Sequence, residues 1–325
     1  MHVLTAEIDQ LELPPELTRT DSVLTVGAFD GLHLGHQALI RRSIARARSA
    51  SGVGSAHLTA GLVTFAPHPA AVLYPERAPH VLTTPQAKLE LLRDVGLDLV
   101  ALLPFTPQLA ATSARDFVRH LCARLNMREL WVGPDFALGS DRQGNLAVLE
   151  QLASELGFAV HQTPYVAQDG RRISSSQIRA LISEGQVAAA AALLGRCYSL
   201  RGRVVHGAHR GRGIGFPTAN LYVCPDCLVP AYGVYATTVT LDGIRYRAAT
   251  NVGVRPSFDN GKPSIEAYIL DFDQNLYGRE LELTFVRRLR PELRFPSVQA
   301  LIDQMRDDVA QTRHVLADLN GDDCV

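Results

Sequence analysis

From Ser22 to about Phe136, short unbroken apolar runs alternate with segments whose apolar residues recur at helical spacing. SVLTVGAF (22–29), HLTAGLVTF (57–65), DLVALLPF (98–105) and ELWVGPDF (129–136) predict strands, and AVHQTPYV (159–166) predicts a fifth. Continuous rather than alternating runs predict strands covered on both faces. Between them GHQALIRRSIARARS, TPQAKLELLRDVG, SARDFVRHLCARLN and NLAVLEQLASELG predict amphipathic helices. Strand then helix, repeated, predicts a parallel α/β sheet of Rossmann-like type.

The pattern changes near residue 185. SSSQIRALISEG predicts a capped helix stopped at Gly185, and QVAAAAALLGRC a short alanine-rich one. Beyond Tyr198 the chain reads as antiparallel β: YSLRGRVVHG, YGVYATTVT, IRYRAATNVGV, PSIEAYILDF and LELTFVRRL. Asp242-Gly243 marks a tight turn between two of these strands. In the closing segment Val298, Leu301, Ile302, Met305, Val309 and Leu316 share one helical stripe, predicting a terminal helix packed on the sheet. Two domains are therefore expected, an α/β unit over 1–185 and an antiparallel β-barrel with a terminal helix over 186–325.

Composition narrows the function. The 325 residues carry 32 Lys plus Arg against 33 Asp plus Glu, so no electrostatic footprint for nucleic acid or an anionic membrane exists. The first residues have no basic segment ahead of an apolar run, and no apolar run is long enough to span a bilayer. Five cysteines do not read as a disulfide framework, and a reducing cytoplasm is the expected compartment. Arg41, Arg42, Arg46 and Arg48 form a helical face expected to be solvated, Trp131 and Phe105 read as core, and Cys224-Pro-Asp-Cys227 as a solvent turn.

Chemistry concentrates first in VGAFDGLHLGH (26–36), a strand end feeding a helix. Unpaired N–H groups and the helix dipole favour an anion there, glycines let backbone approach phosphate, and His33 and His36 add donors and, when protonated, charge. An HxxH pair can also be half a metal site or a buried structural pair. Zinc wants a third ligand at recognisable spacing, and none follows nearby. SSSQIR (174–179), with hydroxyls and Arg179 at a helix start, is a possible second phosphate clamp.

A second dense stretch is GRVVHGAHRGRGIGFPTANL (202–221). It is neither a GxGxxG fingerprint nor a Walker A loop. Thr218 and Asn220, two apart in an extended stretch, share a face, and their hard oxygens suit Mg²⁺ with phosphates. Gly207, Gly211 and Gly215 with His206, His209, Arg210 and Arg212 form a basic loop able to fold over a triphosphate.

AFDGLHLGHQ, TFAPHP, VGPDFALGSDRQGN and ISSSQIR, followed by the PTAN loop, PAYGVYA, NVGVRPSF, SIEAYILDF and LYGRELELTF, resemble in order and spacing the prokaryotic bifunctional riboflavin kinase/FAD synthetase family. The resemblance implies that the C-terminal half converts riboflavin and ATP to FMN and ADP, and that the N-terminal half converts FMN and ATP to FAD and pyrophosphate. It places His33 and His36 at the ATP phosphates, with Gly27, Phe29 and Gly35 in the same ATP-binding turn. It places Ser175, Ser176 and Arg179 at the β and γ phosphates. Phe65, His68 and Pro69 fall on the flavin-phosphate side, and Asp135 and Phe136 near the nucleotide. In the kinase half the resemblance nominates Glu266 as base and puts Asn251 and Arg255 at the flavin, while Tyr268 receives no role. Mg²⁺ is the implied metal, and a monomer or weak homo-oligomer is expected.

Overall fold

A computed structural model describes residues 1–49, 57–168, 170–207, 213, 215–254 and 263–317. The chain divides into two compact units, Met1–Ser174 and Ser175–Val325.

In the first unit the strands are β1 (His2–Leu4), β2 (Ser22–Val26), β3 (Thr59–Ala66), β4 (Leu99–Pro104), β5 (Met127–Val132) and β6 (Ala159–Gln162). They form one parallel six-stranded sheet in the order β1-β4-β3-β2-β5-β6. The helices are α1 (Leu34–Ser49), α2 (Pro69–Leu73), α3 (Pro85–Arg93), α4 (Pro107–Ala110), α5 (Ala114–Leu125) and α6 (Leu146–Leu156). Alternate residues of the central strands β2, β3 and β4 enter two different cores. Leu24, Val26, Val63 and Leu130 pack with Phe117, Leu121 and Leu149, while Val23, Leu62 and Val100 pack with Ile40 and Leu92. Burial on both faces is why these strands read as unbroken apolar runs. Side-chain caps fix the helix starts, with Thr84 accepting from Ala87 N, Ser113 from Asp116 N and Asn145 from Val148 N.

Strand order reverses at β2, whose chain successor β3 lies on one side and β5 on the other. In parallel α/β sheets the crevice beyond the carboxyl ends of strands at such a point is where ligands bind. Here it is bordered by the turns after β2 and β5. A small hairpin, β7 (Ala167–Gln168) with β8 (Arg171–Arg172), follows β6.

The second unit begins with α7 (Ser175–Ser183) and α8 (Val187–Leu194). A closed antiparallel barrel follows, ordered β10-β13-β12-β11-β14-β9, from β9 (Tyr198–Val205), β10 (Ala219–Val223), β11 (Gly233–Leu241), β12 (Ile244–Val254), β13 (Pro263–Ile269) and β14 (Glu280–Arg290). Closure leaves no open sheet edge. Tyr235, Thr237, Val239, Ala248, Thr250, Val252, Ile265, Ala267, Leu283 and Phe285 fill its interior. Leu241 pairs with Ile244 across Asp242-Gly243, both with positive φ, which makes the expected two-residue turn. The chain's last described helix, α9 (Val298–Val315), packs on the barrel.

Several expectations change. β1, a three-residue edge, was not predicted, and β10 was read as an extended stretch for its candidate Mg²⁺ oxygens and not named among the strands. Val298 is 63% exposed and leaves the apolar stripe of α9, whose most deeply buried residues are Asp308, Thr312 and the following Leu316. Asp308 is buried because Arg290 of β14 holds both its carboxylate oxygens, at 2.9 and 2.7 Å. The α1 arginines are not all solvated: Arg46 pairs with Glu129 at 2.5 Å and Arg48 forks onto Asp98. Cys197 is disulfide-bonded, and Cys122 and Cys224 are free thiols.

Candidate functional site

The turn joining β2 to α1 has an unusual backbone. Phe29, Gly31 and Leu32 all have positive φ, at 48°, 79° and 40°. Left-handed conformations at two bulky residues are strained, and such strain persists only where surroundings enforce it. The enforcement is visible. Phe29 and Leu32 are buried in the second core, and buried Asp30 accepts from Leu82 N and Thr83 N at 3.0 Å and from Thr83 Oγ1 at 3.2 Å. Thr83 Oγ1 in turn accepts from Gly31 N. Thus the segment before α3, absent from every sequence expectation, holds the turn in place.

His33 occupies the N-cap of α1, where its Nδ1 accepts the His36 N–H at 3.3 Å. That bond places the proton of a neutral His33 on Nε2. The His33 and His36 rings stack at 3.6 Å between centroids, with Phe29 edge-on to His36 at 5.2 Å. His36 Nδ1 is buried and has no hydrogen-bond partner among the described residues. Burial, then the neighbouring His33 and Lys88, hold the His36 pKa well below 6.5. At neutral pH His36 is therefore a neutral ring, which supplies hydrogen bonds rather than the charge that two protonated histidines would add. Gly27 and Gly35 lie against the Phe29 and His33 rings respectively.

Beside the turn, Lys88 of α3 is only 4% exposed. Its ammonium donates to Ala28 O at 2.6 Å, Thr64 Oγ1 at 3.1 Å and Phe65 O at 3.4 Å. Desolvation lowers its pKa to about 8, partly opposed by the Asp30 carboxylate. Lys88 was missed because a single lysine in an amphipathic helix carries no signal of burial. Phe65 packs edge-on to Phe105, and His68 caps α2 by accepting from Ala70 N at 3.1 Å, with Pro69 opening that helix.

After β5 the chain turns at Gly133–Phe136, with Phe136 partly buried against the first core. Asp135 is bound by Tyr165 Oη and Arg172, and its carbonyl accepts from Arg142 at 3.0 Å. The Tyr165 hydrogen bond and the adjacent Arg172 guanidinium keep its carboxyl ionised below the usual range. Ser175, Ser176 and Arg179 lie on the first turns of α7, in the second unit.

In the barrel, pairing aligns three side chains that are far apart in sequence. Asn220 of β10 is opposite Glu266 of β13, and Glu266 is opposite Asn251 of β12. Directly opposed residues share a face. Ile265, Ala267 and Ile269 point inward, so Glu266 lies on the outer face. Thr218 joins the row, its Oγ1 donating to Glu266 Oε2 at 3.4 Å. Gly207 backs directly onto Asn220, which is 6% exposed. His206 stacks on Tyr277 at 4.0 Å. Glu292, unforeseen from sequence, lies against Gly253 beside Asn251. Gly215 is exposed with φ +86°. His209, Arg210, Gly211, Arg212 and Arg255 lie outside the described residues.

The FAD synthetase family model matches residues 16–177 and the riboflavin kinase model residues 194–316. A bifunctional riboflavin kinase/FMN adenylyltransferase of Listeria monocytogenes is 37% identical, covering 94% of this chain and 95% of that one. The chain belongs to this bifunctional family. Its adenylyltransferase half is N-terminal and its kinase half C-terminal. A second member, from Pseudomonas fluorescens, is 38% identical over 91% of this chain and 93% of its own. A crystal structure described as a macrolide-efflux protein from Streptococcus pneumoniae superposes with TM-score 0.85 at 32% identity, over 96% of this chain and 99% of that one. Among the described residues of this chain, no helix is long and apolar enough to cross a membrane.

Proposed function

We propose that the barrel of this enzyme phosphorylates riboflavin and that its parallel-sheet unit adenylylates the FMN so formed, with ATP as co-substrate of both steps. The functional modules are assigned to 1–185 and 186–325. The observation that carries the reading is the register that aligns Asn220, Glu266 and Asn251 beside Thr218.

In the kinase step Glu266 takes the proton of the riboflavin primary alcohol as its oxygen bonds to the γ-phosphorus and the bond to ADP breaks. Asn251 and Arg255 hold the flavin. Gly207, His209, Gly211, Arg212 and Gly215 are assigned to binding of ATP. Thr218 and Asn220 offer neutral hard oxygens next to a carboxylate, a donor set that fits Mg²⁺. Bound there, the metal would neutralise phosphate charge.

In the second step an FMN phosphate oxygen bonds to the α-phosphorus of ATP and pyrophosphate leaves. The attacking phosphate is already ionised, so no general base is needed and catalysis rests on position and charge. His33 and His36, with the backbone of Gly27, Phe29 and Gly35, receive the ATP phosphates. Ser175, Ser176 and Arg179 hold the β and γ phosphates, Asp135 and Phe136 border the nucleotide, and Phe65, His68 and Pro69 border the FMN phosphate. The enzyme acts in the cytoplasm as a monomer or weak homo-oligomer, without nucleic acid.

Incubation with riboflavin, ATP and Mg²⁺, followed by separation of flavins, tests the scheme. FMN should appear first and FAD after it. FMN without FAD would remove the role given to the first unit, and flavin binding with no product would remove both.

A further inference from the structure

The turn that carries His33 and His36 is built over a buried cation. Lys88 spends all three of its donors on protein, two on backbone carbonyls and one on the Thr64 hydroxyl. Thr64 Oγ1 also donates to Ala28 O, at 3.1 Å, so lysine and threonine close on one carbonyl of the turn. The contacts therefore join the end of β3 to the first residues after β2, across the carboxyl edge of the sheet at the switch point.

A neutral amide or hydroxyl could make such a tether. An ammonium that is 4% exposed is a costly way to do so, because a buried charge without an ion-pair partner is strongly disfavoured. Among the described residues Lys88 makes no ion pair. Among the described residues the single carboxylate acting on it is Asp30, which accepts hydrogen bonds from Leu82 and Thr83. The titratable groups facing Lys88 are Asp30 in the turn and His36 in α1, while β3 presents only the Thr64 hydroxyl and the Phe65 carbonyl. The charge lowers the proton affinity of His36, so it reaches the histidine pair. An anion arriving at that pair would supply compensating negative charge.

We propose that Lys88 is a positioning residue for adenylyl transfer, its ammonium pinning the phosphate-facing turn to β3 and holding positive charge beneath it. The inference rests on the assignment of adenylyl transfer to the first unit.

The test is the rate of FAD formation from supplied FMN and ATP between pH 6.5 and 9.5, with FMN formation from riboflavin measured on the same samples. The wild-type rate should fall above about pH 8 as Lys88 loses its proton. Lys88→Met should form FAD about 100-fold more slowly at pH 7, as expected for losing a preorganised electrostatic group, with no falling limb above pH 8. Its FMN formation should stay within about twofold of wild type. Lys88→Arg, ionised throughout, should lack the limb while keeping more activity than the methionine variant. It also decides the matter if the methionine variant does not fold. A purely structural tether would change the wild-type profile little, because a neutral amine keeps two of the three donors and loses first the long bond to Phe65 O. A flat wild-type profile, a limb retained in Lys88→Arg, or a Lys88→Met rate within twofold of wild type would overturn the proposal. Absence of FAD from the wild-type enzyme would instead overturn the underlying assignment.

Discussion

Gly207→Ala isolates the geometry of the kinase row without touching its chemistry. The Gly207 backbone is one that alanine adopts freely, since its φ is not positive. The added methyl, however, would lie 2.6 Å from Asn220 Oδ1 and 2.5 Å from Asn220 Cγ. The nearest Asn220 atom, Nδ2, is closer still, and ordinary van der Waals contact begins near 3.4 Å, so the Asn220 side chain must retreat by roughly 1 Å. Misplacing a group in an active site by about 1 Å can lower the rate about 100-fold, whereas overpacking of this kind destabilises by about 1–3 kcal/mol and leaves the barrel folded. Steady-state FMN formation at saturating riboflavin and ATP should therefore drop about 100-fold, with FAD formation from FMN within twofold of wild type. Repeating the change on an Asn220→Ala background should give almost no further loss, because the displaced group is already gone. A wild-type kinase rate in folded Gly207→Ala, or an undiminished effect on the Asn220→Ala background, would refute the reasoning.

Glu266→Gln keeps shape and removes the proposed base, so FMN formation should fall by about 10²–10⁴ while supplied FMN is still adenylylated, as read by chromatography of the flavins. His36→Ala should do the reverse, and equal damage to both activities by either variant would contradict the division of labour. Asp308→Ala leaves the partly buried Arg290 without its partner and should destabilise the barrel by about 1–3 kcal/mol, seen as an earlier transition in thermal unfolding. His36 is neutral in the folded chain and takes up a proton when unfolded. Stability should accordingly be lost as pH falls below 6.5, and His36→Asn should lessen that loss in melts run from pH 7.5 to 5.

What the sequence revealed follows from how locally each feature is encoded. Strands buried on both faces, and a barrel turn written Asp242-Gly243, announce themselves within ten residues. β1 is three residues long and stands in the sheet only through pairing with β4, so nothing near it in sequence predicts it. The α9 stripe misplaced Val298 because periodicity counts apolar residues, and the deepest position on that helix is an aspartate whose partner lies on another element. The histidine turn was legible as motif, yet its supports were not. Asp30, Thr83 and Lys88 are ordinary polar residues until the fold removes their water. Glu292 escaped for the same reason, since only the return of the chain after β14 brings it to Gly253.

The two sites differ in construction as their two reactions differ in need. Moving a phosphoryl group to an alcohol requires somewhere for the hydroxyl proton to go, and the barrel sets a carboxylate, Glu266, among amide and hydroxyl oxygens. Those neutral oxygens bring no opposing negative charge to a nucleotide. Joining two phosphates has no such proton to remove, but it brings two anions together. The parallel-sheet unit answers with backbone N–H groups at a helix start, a His36 ring held neutral, and a cation kept dry beneath it. A carboxylate exposed in that turn would repel both substrates. The one that is there, Asp30, is 3% exposed and turned to Leu82 and Thr83. Loosening Asp30 by Thr83→Val, which removes one of its hydrogen bonds and the acceptor of Gly31 N, should therefore weaken ATP binding in the adenylyl step before it alters the maximal rate. A change in maximal rate alone would show that Asp30 acts on the reacting atoms and not on the approach of the anion.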